Sequence, residues 1–211
     1  MMRISDLVKI VMSDKFEFMT FSVFEYGDFK SFTEAVVKLT EDWILKGKAE
    51  INNAEVCLVD YYNPRIGGHL PEKFTCWQSA YYPDKIFFMS NLSDGWHTMC
   101  MAIQRQLNFS WAMFEMSGIS SSHSCPMNMF LYSKEPGTER AVLSYYDDTH
   151  WVFYDRGEPV EFENVENYKA RLKKNRLNKD ILMEYMRRMG INFYDIDENI
   201  IHYLNFIRTK W

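Results

Sequence analysis

The stretch MNMFLYSKEPGTERAVLSYYDDTHWVFYD, residues 127–155, decides the fold class. It contains three strand-like runs rich in aromatic and aliphatic side chains, at residues 127–134, 139–146 and 150–155. The turn formers Pro136-Gly137 and Asp147-Asp148-Thr149 separate these runs, and Arg156-Gly157 turns the chain into a further run at 158–162. Short runs of this composition, joined by tight turns, are typical of an antiparallel meander. We therefore predict a meander of three or four strands.

Upstream of the meander, two helices alternate with strands. The first helix is predicted over residues 31–46, because Ser31-x-x-Glu34 forms a capping box and Gly47 is a typical C-terminal stop. Ser93 or Asp94 is predicted to cap the second helix. The remaining strand-like runs lie at residues 16–26, 54–62, 74–81, 85–90 and 109–116.

The last fifty residues are predicted to be helical. Asn164 is predicted to cap a helix that carries Val165, Tyr168 and Leu172. A second helix is predicted to begin at Asn178 and to end at Gly190. A third is predicted from about Asp197, because its apolar residues recur at helical spacing, at Ile200, Ile201, Leu204 and Ile207.

These elements predict a single α+β domain over residues 1–211, with a mainly antiparallel mixed sheet, flanking helices and a helical C-terminus. A helix followed by three or more strands occurs twice, at 31–90 and at 94–155. This order suggests tandem halves, 1–92 and 93–211, that share one extended sheet or form two apposed sheets. The aromatic side chains expected to be largely buried are Trp43, Trp96, Trp151 and Phe153.

Charge is unevenly distributed along the 211 residues, whose net charge is −5. Residues 164–190 contain eight Lys and Arg against three Asp and Glu, so this segment carries +5 and the remainder carries −10. An acidic body repels nucleic-acid backbones and suits a basic protein partner. Side chains of Lys169, Lys173 and Arg176 are predicted to lie along one side of a helix, where a solvated face is favoured over a nucleic-acid site.

The cysteines and the N-terminus favour a cytoplasmic protein. None of the four cysteines, Cys57, Cys76, Cys100 and Cys125, belongs to a CxxC pair, so we expect reduced thiols. Lys9 interrupts the apolar patch near the N-terminus, which is too short for a signal peptide or a membrane span. We therefore predict no membrane association.

The candidate partner-binding residues are carboxylates in and after the meander: Asp147, Asp148, Asp155, Glu158 and Glu161. We predict that most of them project from one end of the sheet as an acidic patch that binds a protein. A solvated hairpin edge is the alternative. Acid–base catalysis would require one carboxyl to be desolvated, and turn residues are usually hydrated.

Other motifs carry less information. His123-x-Cys125 is one close Cys/His pair without a second cluster, so we predict no metal and no cofactor. Gly118–Ser122 lacks the second glycine and the strand-turn-helix context of a hydrolase nucleophile elbow. The glycine-containing loop at 64–71 matches no phosphate-binding pattern, and neither it nor the serine-rich loop at 117–124 has an assigned role.

The C-terminal half resembles a small, poorly characterised bacterial family found beside polymorphic toxins, whose members act as immunity proteins. The residues that carry the resemblance are Arg140, Asp148, Trp151, Phe153, Gly157, Pro159, Phe162, Glu163, Tyr168, Arg171, Asn175, Arg176, Leu177, Tyr185 and Gly190, together with Asp94-Gly95-Trp96. Within this set, Glu163 is expected to form a buried pair with Arg171 or Arg176. The resemblance implies a protein-binding function and supplies no catalytic residue.

Three functional hypotheses follow. The first is a non-enzymatic cytoplasmic protein that binds another protein, most specifically an immunity-type protein that masks a toxin. The second is an enzyme whose site is assembled from distant residues, with His123, Cys125 or the carboxylates of 147–163 as the first places to look. The third is a structural or scaffold subunit.

Overall fold

The computed structural model of the chain describes residues 18–55, 57–62, 64, 68–117 and 126–211. The strands are β1 (Phe18–Phe24), β2 (Ala49–Asn52), β3 (Glu72–Ser79), β4 (Ile86–Ser90), β5 (Trp111–Ser117), β6 (Met127–Ser133), β7 (Arg140–Asp147), β8 (His150–Arg156) and β9 (Ile200–Arg208). The α-helices are α1 (Phe29–Leu45), α2 (His97–Leu107) and α3 (Lys179–Arg188). Short 3₁₀ turns lie at Leu58–Tyr61, Val165–Lys169 and Lys173–Asn175.

The strands form one nine-stranded sheet in the order β2-β9-β3-β4-β1-β5-β6-β7-β8. Each pairing is antiparallel, which confirms the predicted α+β class and its antiparallel sheet. Strands β6, β7 and β8 form the predicted meander, and β5 extends it on one side, with strands adjacent in sequence and in space. Pairing of β1 with β5 joins the two helix-plus-strand units, and β9 lies between β2 and β3.

Helices cover both faces of the central strands. Successive side chains of a strand point to opposite faces, so all seven residues of β1 are buried. On one face, β1 contributes Phe24 to the core under α1 and α2; we call this the α1/α2 face. On the other, Phe21 and Val23 join the core beneath α3 and its flanking segments, which we call the α3 face.

The aromatic excess of the sequence fills these two cores. On the α1/α2 face, the ring of Phe74 stacks on Phe88 and on Phe206 with centroid separations of 5.0 Å each. On the α3 face, Trp77 is fully buried, and its indole Nε1 donates a hydrogen bond of 2.7 Å to the carbonyl oxygen of Ile196. Because the indole N–H has a partner, this large side chain is buried without an unsatisfied donor.

The predicted helices 31–46 and 178–190 are confirmed, with one change at a cap. α1 begins at Phe29 because Asp28 caps it, and its Oδ1 accepts a hydrogen bond of 3.0 Å from the backbone N–H of Ser31. The capping box assigned to Ser31 is therefore wrong. α3 has the predicted Asn178 cap, whose Oδ1 accepts from the Ile181 N–H at 3.0 Å.

The predicted last helix is wrong, because Ile200–Arg208 forms strand β9. Leu204 and Phe206 are two residues apart and both enter the core of the α1/α2 face, as strand periodicity requires. Ile200, Ile201, Leu204 and Ile207 follow helical spacings of three and four residues, but the pairing of β9 with β2 and β3 makes the segment a strand.

Three other segments also differ from prediction. Residues 54–62 contain the 3₁₀ turn Leu58–Tyr61 in place of a strand, and the strand of this region, β2, lies earlier. No strand forms at 158–162. The segment after Asn164 is a single 3₁₀ turn, and Leu172 is 53% exposed, so the predicted apolar helix face is absent.

The four aromatic residues expected in the core are at least partly buried. Trp96 is 8% exposed, whereas Trp43, Trp151 and Phe153 are half-buried. Trp151 and Phe153 belong to β8, the edge strand, which has a neighbour on one side alone. No helix in the described part of the chain has the length and apolar character needed to cross a membrane.

A buried ion-pair network attaches the C-terminal segment to the sheet. The guanidinium of Arg140, 2% exposed, donates to both carboxylate oxygens of Glu163 at 2.8 and 2.7 Å. It also bonds Asp155 and the carbonyl oxygens of Arg156 and Gly157. The expected partner of Glu163 was Arg171 or Arg176, and this expectation is wrong.

Tyrosine hydroxyls complete the network. Tyr168 donates to Glu163 Oε2 at 2.6 Å, and its hydroxyl is 2.8 Å from that of Tyr185. Burial, followed by the bond to Glu163, raises the pKa of Tyr168 above its usual value. Several residues that carry the family resemblance therefore form one structural cluster.

Candidate functional site

An open cavity in the described part of the chain forms a cleft on the α1/α2 face, beside the N-terminus of α2. Its volume is about 530 Å³, within the usual range for ligand sites. The side chains that line it are Phe18, Ser93, Asp94, His97, Thr98, Glu115, Met127, Met129, Leu131 and Glu139. We call it the Glu115 cleft. It lies where the cover provided by α2 ends and the strands β5 and β6 continue.

Glu115 is a buried carboxyl group within an otherwise apolar strand. It follows Trp111 and Met113 on the same face of β5, and strand pairing places it between Thr20 of β1 and Met129 of β6. The residue is 2% exposed, and its Oε1 has no hydrogen-bond partner in the described part of the chain. Such a group is costly to bury, because it loses its hydration without compensation.

Burial determines the protonation of Glu115. Burial, followed by the negative charge of Asp94, raises the pKa of this carboxyl to about 8. Glu115 is consequently neutral at pH 7 unless a cation enters the cleft. Perturbed carboxyls inside open clefts are a common feature of functional sites.

The turn before α2 fixes the rim of the cleft. Gly95 has φ +62°, and a Cβ at this position would lie 2.3 Å from Thr20 Cγ2, so the turn backbone contacts β1 directly. Thr20 Oγ1 donates to the carbonyl oxygen of Ser93 at 3.0 Å, and Asp94 Oδ1 accepts from the Trp96 N–H at 3.0 Å. These contacts hold the Asp94 side chain at the mouth.

We expect Gly95→Ala to destabilise the protein by about 2–3 kcal/mol, because it combines a positive φ with a clash against a rigid strand side chain. The matched control is Gly137→Ala, which also has a positive φ (+93°) but has no atom within 4 Å of the added Cβ. Urea unfolding of both variants measures the difference. Equal losses at the two positions would contradict the close approach of the turn to β1.

The rest of the lining combines apolar side chains with negative charge. Met127, Met129 and Leu131 of β6 form an apolar wall. The exposed Asp94 and Glu139 stand at the rim, and the ring of His97 lies 5.5 Å from that of Trp111. Among the described residues, no group of three or more His, Cys, Asp or Glu side chains is arranged to hold a metal ion. The cleft is suited to an organic cation with an apolar portion.

The carboxylates selected from the sequence do not share one end of the sheet. Asp147 and Asp148 lie at the β7–β8 turn, whereas Asp155, Glu158 and Glu161 lie at the opposite end of β8. A strand of this length separates the two groups by roughly 20 Å. All five residues are exposed, and three of them share one end of the sheet while the other two lie at the opposite end. Their role in partner binding stays a prediction.

Strand pairing brings a different set of carboxylates together at one end of the sheet, and we call this set the acidic end. It comprises five exposed residues, Glu25, Glu135, Glu139, Glu158 and Glu161. Glu25 follows β1. Glu25 and Glu161 line one cavity of about 440 Å³. Glu158 follows Gly157, which approaches Glu139 so closely that an added Cβ would clash with the Glu139 carbonyl oxygen. Glu139 belongs both to the acidic end and to the rim of the Glu115 cleft.

The basic segment does not form a continuous helix face, so that prediction is wrong. Lys169 pairs with Glu166 at 2.7 Å on the 3₁₀ turn. Arg176 stacks over the Phe153 ring at 5.3 Å, and its Nε donates to the carbonyl oxygen of Ala170 at 2.9 Å. Lys169 and Arg176, two of the three cations, therefore interact with other groups of the protein.

Several sequence candidates lie outside the described residues. These are Gly118–Ser122, His123 and Cys125, together with residues 65–67 of the glycine-containing loop. Within the described part, Cys57, Cys76 and Cys100 are free thiols, and the latter two are buried.

No family model matches the chain, and no curated protein or solved structure is significantly similar to it. Its class is therefore defined by its own structure, an α+β domain with a nine-stranded antiparallel sheet and helices on both faces. The functional residue that sequence reasoning missed is Glu115. One charged residue inside the apolar run WAMFEMS was the available signal.

Proposed function

We propose that the protein is a non-enzymatic cytoplasmic binding protein for a basic protein partner, and more specifically an immunity-type protein that masks a toxin. The observation that carries the proposal is the acidic end, where strand pairing assembles five exposed glutamates from three separate segments. The resemblance of the C-terminal half to immunity proteins supports the specific form. The buried free thiols of Cys76 and Cys100 support a reducing compartment.

The acidic end acts through long-range electrostatic attraction of the partner. Clustered like charges create a field that attracts and orients a partner of opposite charge before contact, so they mainly accelerate association. Lys134 and Arg156 are also exposed in this region, and they reduce the negative field without cancelling it. The Arg188 guanidinium, which lines the cavity shared by Glu25 and Glu161, is paired with Glu184.

Two variants of equal charge change test which end of the sheet meets the partner. We expect Glu158→Gln/Glu161→Gln to lower the association rate constant roughly 3- to 10-fold at low salt and to flatten its dependence on ionic strength. Asp147→Asn/Asp148→Asn removes the same two charges at the opposite end and should leave the rate nearly unchanged. The partner is captured from the native host, identified and purified, and association is measured by stopped-flow fluorescence.

The outcomes separate the hypotheses. A larger loss in the Asp147/Asp148 variant would place the interface at the β7–β8 turn and remove the acidic end from it. Equal rates in all three proteins would show that neither group steers association. Failure to recover any stoichiometric partner would overturn the proposed function.

A second candidate function is acid–base chemistry in the Glu115 cleft, the enzyme with a site assembled from distant residues. The observation that favours it is the pKa of Glu115, which burial raises to about 8, close to the working range of a catalytic acid or base. In the described part of the chain, however, Oε1 of Glu115 lacks the hydrogen-bonded partner that usually orients such a group. This arrangement supports binding more directly than catalysis.

A further inference from the structure

We infer that the Glu115 cleft binds a protonated amine or guanidinium group carried on a hydrocarbon stem. The group belongs either to a Lys or Arg side chain of the partner or to a free alkylamine. In the first case the inference deepens the proposed function and rests on it; in the second it stands alone. The chemistry that both sources share is a cation that satisfies Glu115 and an apolar stem that covers the wall of β6.

The buried carboxyl is the first argument. Glu115 is 2% exposed, and its Oε1 has no hydrogen-bond partner among the residues that the structure describes, so burial leaves this oxygen dehydrated without compensation. No Lys or Arg is found among the described residues that line the cleft. An incoming N–H donor with a positive charge would supply both the hydrogen bond and the counter-charge that the protein itself leaves out.

The wall of the cleft indicates the remainder of the ligand. Met127, Met129 and Leu131 present flexible and branched apolar surface beside the carboxyl. Unbranched methylene stems of Lys, Arg or an alkylamine bury well against such side chains while the charged group reaches a polar site. The volume of about 530 Å³ accommodates one such group with room to spare.

A metal ion fits the lining less well. Calcium takes six to eight oxygen ligands and magnesium demands octahedral oxygen geometry. The described part of the chain offers no group of three suitable ligands, and the carboxyl is surrounded by thioether and hydrocarbon. An organic cation is therefore favoured.

Binding should be coupled to the release of a proton. In the free protein, burial and then the charge of Asp94 raise the pKa of Glu115 to about 8, so the carboxyl must ionise when the cation arrives. The titratable groups facing the cleft are Asp94 and His97 from the α2 side and Glu139 before β7. From β1, the facing residue is Thr20, which does not titrate in this range.

Isothermal titration calorimetry of the full chain tests the inference with defined probes. The free probes are n-butylamine, agmatine and the neutral n-butanol, and the side-chain probes are acetyl-Gly-Lys-Gly-amide and its Gln counterpart. We expect the cationic probes to bind, the neutral ones not to, and each cation bound at pH 7.5 to release up to one proton, read from two buffers of different ionisation heat.

Variants assign the binding to the carboxyl. We expect Glu115→Gln to weaken the cationic probes roughly 10-fold or more, because a charge-assisted hydrogen bond is lost. Glu41→Gln is the matched control, with the same charge change at an exposed position of α1 outside both the cleft and the acidic end, and should bind normally. Met129→Lys places an ammonium group directly across from Glu115 and should abolish binding by occupying the cleft itself.

Each outcome decides between the sources or overturns the inference. Tighter binding of the Lys peptide than of n-butylamine assigns the cleft to a partner side chain, and exclusion of the peptide assigns it to a free amine. Binding of n-butanol as tight as that of n-butylamine, unchanged binding in Glu115→Gln, or no binding of any cationic probe would overturn the inference. A protein partner that binds Glu115→Gln with unchanged affinity would overturn the partner side-chain source while leaving the proposed function intact.

Discussion

Replacing Arg140 with Met is expected to lower the free energy of unfolding by about 3–5 kcal/mol, because removal of one partner of a buried ion pair leaves an uncompensated charge. The Glu163 side chain is fully buried, and its two oxygens accept from Arg140 at 2.8 and 2.7 Å. In Arg140→Met, Glu163 would keep the Tyr168 hydroxyl and the Val160 N–H as hydrogen-bond donors but would lose its counter-charge.

The double variant Arg140→Met/Glu163→Leu provides the sharper comparison. We expect it to recover part of the loss, since no unpaired charge remains buried at Glu163. Denaturant unfolding measures all three proteins, and Arg187→Met, which breaks an exposed pair with Glu184, should barely change stability. Arg140→Met as stable as the wild type, or a double variant less stable than Arg140→Met, would contradict the structural role of this network.

The second large effect is expected at Glu115 and depends on pH. The pKa of this carboxyl rises from 4.5 in the unfolded chain to about 8 in the folded protein, so between these values the folded state binds the proton more tightly. The contribution of Glu115 to stability is therefore favourable at low pH and is lost as pH rises toward 8 and beyond. Between pH 4.5 and pH 9 the loss amounts to about 3–5 kcal/mol.

Glu115→Gln keeps the shape and removes the titration. We expect the variant to match the wild type near pH 4.5 and to exceed its free energy of unfolding by about 3–5 kcal/mol at pH 9. Glu139→Gln, an exposed carboxylate on the rim of the same cleft, is the control and should show no such divergence. Parallel stability curves for the wild type and Glu115→Gln across this pH range would contradict the burial of an unpaired carboxyl.

Much of the fold could be predicted from local signals. Turn residues and aromatic runs located β6, β7 and β8, and Asn178 marked the start of α3, because these features act within a few residues. Strand β9 could not be predicted in this way. Its apolar residues follow helical spacing, and its strand structure depends on partners more than a hundred residues away.

The candidate site was harder to predict from the sequence, because it too depends on contacts between residues that are far apart in the chain. A run of carboxylates close in sequence suggested one patch, but β8 is long enough to carry Asp148 and Glu158 to opposite ends of the sheet. Glu115 and Asp94 come together through the pairing of β5 with β1 and the close approach of Gly95 to Thr20. Neither contact leaves a sequence motif beyond one charged residue within an apolar strand.

The most direct test of the account is a pH titration of the side-chain carboxyl carbon of Glu115 by NMR, in the free protein and in the presence of saturating n-butylamine. A buried carboxyl whose Oε1 has no hydrogen-bond partner among the described residues predicts a midpoint near pH 8 in the free protein, as its pKa of about 8 requires, and a fall of more than about one pH unit when the amine is bound. A midpoint near the ordinary value of 4.5 in the free protein, or one that the amine leaves unmoved, would contradict the assignment of this cleft as a cation site.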